Sequence, residues 1–235
     1  MVTSSRLVSA LAVSAALSAG AYAQYIPVDF SAQFNDTRAT LINGGGAPFG
    51  PQVFTHNTDL VPVNMGGGVD GSGPWSWAAA SGLIGPGGVV TLVVPVNISN
   101  VQSVFTIINS YWGNANPEGL ITVTFNATGG VSQTFTLVGG VDLRDYNQNP
   151  SYTNTINNTS TRNVWSNTAG QRLDMQRFDL GPAFAGQTLQ NITFNDFGAT
   201  NFQRMFLTGV TVLVPTPGTL GMLALGGLMV SRRRR

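Results

Sequence analysis

The sequence predicts an all-β protein, an antiparallel β-sandwich with long glycine-rich loops. Three observations carry this. Two stretches alternate apolar and polar residues with a period of two. In Leu120–Asn126, Ile121, Val123 and Phe125 face one way and Thr122, Thr124 and Asn126 the other; in Leu189–Asp196, Ile192 and Phe194 oppose Asn191, Thr193 and Asn195. No stretch of the body sustains the 3.6-residue period of a helix. Finally, 29 glycines and 12 prolines punctuate the chain, so strands are short and turns frequent.

Taken in order, the body opens with one strand around Val28–Phe34. Residues 43–88 hold Gly44-Gly45-Gly46, Gly66-Gly67-Gly68 and Gly85-Pro86-Gly87-Gly88, and read as long loops with short strands. Strand signals then come quickly. Val89–Val94 is a continuous apolar run, Ser103–Asn109 follows, and Leu120–Asn126 connects through Ala127-Thr128-Gly129-Gly130 into Val131–Val138, where Phe135 and Leu137 share a face. Val141–Tyr146, Arg162–Ser166, Arg172–Leu180, Leu189–Asp196 and Arg204–Val214 complete the set, with Val210 and Val212 inward.

The two ends differ from this body. Residues 1–23 read as a secretory signal peptide: Arg6 is the positive flank, Leu7 to Leu17 the apolar stretch, and Ala21-Tyr22-Ala23 an A-x-A cleavage site, leaving Gln24 as the mature N-terminus. The domain from 24 to 213 has 190 residues, enough for one sizeable core. It keeps six arginines (Arg38, Arg144, Arg162, Arg172, Arg177 and Arg204) against ten acidic residues, a net charge of −4 where the whole chain has +1. That balance offers no basic patch for phosphates and argues against a nucleic-acid partner. There is no cysteine, which excludes disulfides, thiolate metal sites and cysteine nucleophiles, and no lysine, which excludes a P-loop.

Residues 214–235 form a three-part tail. Val214-Pro215-Thr216-Pro217 makes a turn, Gly218 to Ser231 is an uncharged run of 14 residues, and Arg232, Arg233, Arg234 and Arg235 end the sequence. As a helix the run would reach about 21 Å, short of the roughly 30 Å hydrocarbon core, with arginines that snorkel and favour the cytoplasmic side. The order of these parts resembles the PEP-CTERM sorting signal of bacterial exosortase substrates. That family usually places Glu between the two prolines, where this chain has Thr216. The resemblance implies processing by an exosortase-type membrane protease, beside the signal peptidase that the N-terminal cleavage site calls for. It also implies transient anchoring in the inner membrane, followed by release or attachment at the cell surface or outside the cell. A second, patterned resemblance covers about 35 residues: Phe178-Asp179-Leu180, Leu189–Phe194 and Leu207–Val212 look like the closing strands of jelly-roll, galactose-binding-like modules.

Chemistry-bearing residues are few. His56, the single histidine, sits in His56-Asn57-Thr58-Asp59, read as a loop; it would have to be the base of any Ser-His-Asp triad. Glu118 is the single glutamate and would need an opposed Asp for glycoside hydrolysis. Gly66–Gly71 fits G-x-G-x-x-G but lacks the strand-to-helix context of a dinucleotide site. Asp145-Tyr146-Asn147-Gln148-Asn149 opens like a calcium loop, yet Pro150 and Ile156 stand where that loop needs Gly and Glu. Asp142, Asp145, Asn147 and Asn149 are therefore candidates for a different calcium site, against an Asx-turn cluster that needs no metal. Otherwise no cofactor is expected. Trp75, Trp77, Tyr111 and Trp112 are candidates for stacking on sugar rings, with plugging of the core as the alternative; Trp165 stands out as well. The sum is a non-enzymatic exported protein of the surface or exopolysaccharide matrix. A carbohydrate-binding module using loop aromatics and a carboxylate-based hydrolase are the alternatives.

Overall fold

A computed structural model describes residues 23–36, 48–66, 73–79, 88–111, 113, 119–198 and 203–215. A compact unit spans Tyr25–Leu213. Its strands in chain order are β1 (Gln24–Pro27), β2 (Gly50–His56), β3 (Asp59–Met65), β4 (Trp77–Ala78), β5 (Val90–Ser99), β6 (Ser103–Tyr111), β7 (Gly119–Ala127), β8 (Ser132–Val138), β9 (Thr161–Ser166), β10 (Arg172–Asp179), β11 (Thr188–Asp196) and β12 (Arg204–Val214). The described residues are all-β, as the alternation and turn content predicted, and the sheets are antiparallel.

Two sheets dominate. One has the order β5-β11-β7-β8; the other runs β1-β12-β6-β10-β9, with β4 also on β12. The connections β5–β6, β6–β7, β8–β9, β10–β11 and β11–β12 each pass from one sheet to the other. In the four-stranded sheet the period of two does its work. Ile121, Val123, Phe125, Ile192 and Phe194 are fully buried on one face. On the other, Thr and Asn form cross-strand pairs: Thr91 with Asn195 at 2.7 Å, Thr124 with Thr134 at 2.9 Å, and Asn126 with Asn191 at 2.9 Å. Phe125 and Phe135 of this sheet meet Phe178 of the other at ring-centroid distances of 5.4 and 5.1 Å.

The six-stranded sheet behaves differently. Every residue of β6 and of β12 is buried. The reason is a third layer: β2 and β3 pair as a separate hairpin, and Phe54, Val61, Val63 and Met65 join Phe105, Ile107, Leu173, Met175 and Phe206 in one cluster. Each such fully buried apolar side chain contributes about 1.5–3 kcal/mol, which is how a chain without disulfides holds together. The hairpin sits so close to β12 that Val63 occupies the place a Cβ on Gly209 would take. Arg177 adds a polar staple, pairing with Asp59 at 3.0 Å and Asp179 at 2.8 Å. Burial and the Asp59 carboxylate push the nearby Tyr25 hydroxyl up to about 12.

Several sequence expectations are corrected. Within 43–88, the described residues include two seven-residue strands, β2 and β3, joined through Asn57, whose φ of 56° makes the tight turn. The strand expected at Val28–Phe34 is instead β1 at Gln24–Pro27, followed by a 3-10 turn at Ser31–Gln33; the Asp29 carboxylate accepts from Ser31 N at 3.0 Å and Ser31 Oγ at 2.7 Å and bends the chain. Val141–Tyr146 forms no strand either, because the Val138 carbonyl takes the N–H groups of Val141, Asp142 and Leu143. By contrast, the hairpin connection expected at Ala127–Gly130 is present between β7 and β8, with Gly129 and Gly130 at φ 70° and 74°.

Beyond Ala23 and Gln24, both exposed, Val214, which ends β12 and is buried, and the half-buried Pro215, the signal and tail residues, including Ala21, Thr216, Pro217 and Arg232 to Arg235, lie outside the described residues. Among the described residues no helix is long and apolar enough to cross a membrane.

Candidate functional site

The connection from Val138 to Thr161 folds back over one end of the six-stranded sheet and is held there by buried charge. Arg144 grips Asp174 of β10 with two prongs, Nη2 to Oδ1 at 2.6 Å and Nε to Oδ2 at 2.7 Å. Asn109 of β6 donates to the same carboxylate at 2.7 Å and accepts from the Asp174 N–H at 2.9 Å. The Asp174 side chain is fully buried, so these bonds offset the cost of desolvating it. Arg144 Nη1 also donates to the Asn154 carbonyl at 3.2 Å.

Arg172 lies beside this pair, at the start of β10. It is 6% exposed and has no carboxylate partner within ion-pair distance among the described residues. Its Nε donates to the Asp145 carbonyl at 3.0 Å and its Nη2 to Asn154 Oδ1 at 2.5 Å; Nη1 has no hydrogen-bond partner among the described residues. Burial first, and then the neighbouring Arg144 charge, hold its guanidinium below the ordinary value. In front of the two arginines is an open cleft of about 310 Å³, walled by Gln148, Asn163, Ser166 and Asn167. Two turns shape it. Asn167 Oδ1 accepts from Ala169 N at 3.0 Å and Gln171 N at 2.9 Å, closing the β9–β10 connection. Gly170, at φ +79°, lets that turn approach the opposite wall, where Gln148 N donates to its carbonyl at 2.9 Å; a Cβ there would come within 3.2 Å of Gln148.

Three of the four calcium candidates have their side-chain acceptors in use. Asp145, fully buried, accepts from Gly113 N and Asn147 N at 2.7 Å each. Burial pushes its carboxyl up to about 6 against those two bonds. Asp142 accepts from Val138 N at 3.2 Å and Asn157 Nδ2 at 3.1 Å, and Asn149 Oδ1 from Ser151 N at 2.9 Å. Asn147 contributes its N–H, and its carbonyl accepts from Asn149 N at 2.9 Å. These are loop-closing Asx contacts. Among the described residues no three acidic or histidine side chains group as metal ligands.

Three of the four aromatic candidates, Trp75, Trp77 and Tyr111, take the core alternative. Trp75 is completely buried, its Nε1 donating to the Pro48 carbonyl at 3.2 Å; Trp77 is 7% exposed and Tyr111 3%. Trp75 and Tyr111 flank Phe206 at 6.0 and 4.6 Å, so neither presents a face to a sugar. Tyr111 further donates to Asp36 at 2.9 Å. Trp165 is half-buried against the hairpin cluster. Trp112 and Glu118 lie outside the described residues.

His56 is not in a loop. It is fully buried at the end of β2, with Nε2 3.1 Å from the Ser160 carbonyl and Nδ1 3.4 Å from Asn57 Nδ2. A carbonyl partner requires the proton on Nε2, which leaves Nδ1 to accept. Burial lowers its pKa below the usual histidine value, and the ring pins the hairpin to the 157–160 loop.

Sequence reading missed the cleft because its residues come from three separated segments, none of which forms a motif. The one available signal was Arg144 and Arg172, two of only six arginines in the body. No protein-family model matches this chain, and no curated protein is similar enough to count as a relative.

Proposed function

We propose that this is an exported, tail-sorted, non-enzymatic protein of the cell surface or exopolysaccharide matrix, its body a jelly-roll-like β-sandwich associated with glycan. The observation that carries the reading is a coincidence of boundaries. The sequence places processing after Ala23 and at the Pro215–Pro217 turn, and the compact unit runs from Tyr25 to Leu213. A signal peptidase and an exosortase-type membrane protease would therefore cut at the edges of the fold. Repeated passage of the chain between the two sheets supports the jelly-roll likeness. The neutral Thr and Asn face of the four-stranded sheet suits a hydrated polymer rather than an apolar partner. Catalysis by His56 is disfavoured by its burial and its use of both ring nitrogens.

The test is the intact mass of the protein recovered from producing cells, with its location. The reading expects loss of residues 1–23 and of the tail. It also expects retention of the tail when Arg232–Arg235 are replaced by glutamine. A mature mass unchanged by that replacement overturns the sorting step.

A further inference from the structure

We infer that the cleft at Arg172 binds the carboxylate of an acidic sugar, a uronate residue of an extracellular polysaccharide. This deepens the glycan-associated reading above and rests on it. The body carries net −4, yet among the described residues no acidic side chain lines this cleft. Arg144 is neutralised at the back by Asp174, so the charge facing the opening belongs to Arg172. Arg172 is 6% exposed, and two bonds to the 145–154 loop fix the plane of its guanidinium. A fixed guanidinium edge suits a planar carboxylate, which can take two parallel N–H groups. A phosphate, with more charge to neutralise, would call on further cations that this wall does not supply.

The remaining chemistry is saccharide-like. The Gln148 amide and the Ser166 hydroxyl make no side-chain hydrogen bond among the described residues, and both line the same space. They offer donors and acceptors for ring hydroxyls around the carboxylate. The volume of about 310 Å³ lies at the small end of the roughly 300–1,000 Å³ of ligand clefts, fitting one or two sugar units of a chain that passes across an open mouth.

The test is affinity electrophoresis of the exported protein through gels holding polygalacturonate, its methyl ester, or dextran sulfate. Polygalacturonate should retard the protein. The ester, which lacks the charge, should do so at least about tenfold more weakly, the scale of one charge-assisted hydrogen bond. Arg172→Gln should lose retention similarly. Because Arg172 also holds a loop, the exposed Ser166→Trp provides the second variant: it fills the cleft from an edge strand and should abolish retention with an unchanged melting temperature. Equal retention by acid and ester, full retention by Ser166→Trp, or equally strong retention by dextran sulfate overturns the inference. Intact mass and location are measured on the same preparations. A processed, matrix-held protein with an inert cleft removes this inference alone, whereas cleft binding by an unprocessed protein removes the sorting step alone.

Discussion

Arg144 and Asp174 form a two-pronged ion pair, 2.6 and 2.7 Å, that ties the 139–160 connection to β10 of the six-stranded sheet. The carboxylate is fully buried and the guanidinium side chain only 13% exposed, so neither partner can fall back on water if the other is removed. Asp174→Asn should therefore destabilise the fold by about 3–5 kcal/mol, the cost typical of a buried charge left unpaired. Urea unfolding of the exported protein measures it. A loss under about 1 kcal/mol would show that the loop relaxes and lets water reach Arg144.

Stability should rise as pH falls from about 7.5 toward 5. Asp145 and Asp196 are fully buried, and burial raises each carboxyl from 3.8 to about 6. Between those values the native state binds more protons than the unfolded chain, so acidification favours folding and the cost of burying the charge is relieved, up to about 3 kcal/mol per group. His56 opposes this: its lowered pKa means that the unfolded chain takes up the proton first as pH passes below 6.5. With two carboxyls against one imidazole, the melting temperature should peak on the acid side of neutrality. Asp196→Asn should flatten the profile, because Asp196 holds Met205 N and Gly198 N and its amide carries no charge to relieve.

Gly209→Ala should cost about 1–3 kcal/mol, the usual penalty of overpacking. The new methyl would compete with Val63 for its space and push the β2–β3 hairpin off β12. Combining it with Val63→Ala should recover part of the loss, since the two sites touch. Thermal unfolding of both single variants and the double variant decides this.

Trp75→Ala should destabilise by about 3–5 kcal/mol, as for other large core aromatics, because the ring is completely buried beside Phe206. Polysaccharide retention below the melting transition should stay unchanged. Loss of retention in a fully folded Trp75→Ala protein would return the indole to the role of a sugar platform.

The readable parts of the fold are those where one physical rule acts alone. β7 and β11 bury one face and wet the other, so their alternation names the inward residues directly, Ile121, Val123, Phe125, Ile192 and Phe194. β6 and β12 are buried on both faces, and there alternation carries little information: Thr106, Asn109, Ser110 and Thr211 are as buried as Phe105 and Val212. The hairpin that covers them was hidden by its glycine-rich surroundings. Trp75, Trp77 and Tyr111 looked like loop aromatics for the same reason, since a short segment beside glycines does not reveal what packs over it.

By itself the sequence determined the all-β class, most strand positions from β5 onward, the negative charge of the body and the two unlike termini. These depend on local period, composition and order along the chain. Only the tertiary structure decided which residues share a cleft. Arg144, Gln148, Ser166 and Arg172 come together because β10 pairs with β9 while the long β8–β9 connection folds back over the sheet. Their meeting depends on contacts between distant segments, and a local pattern does not encode those.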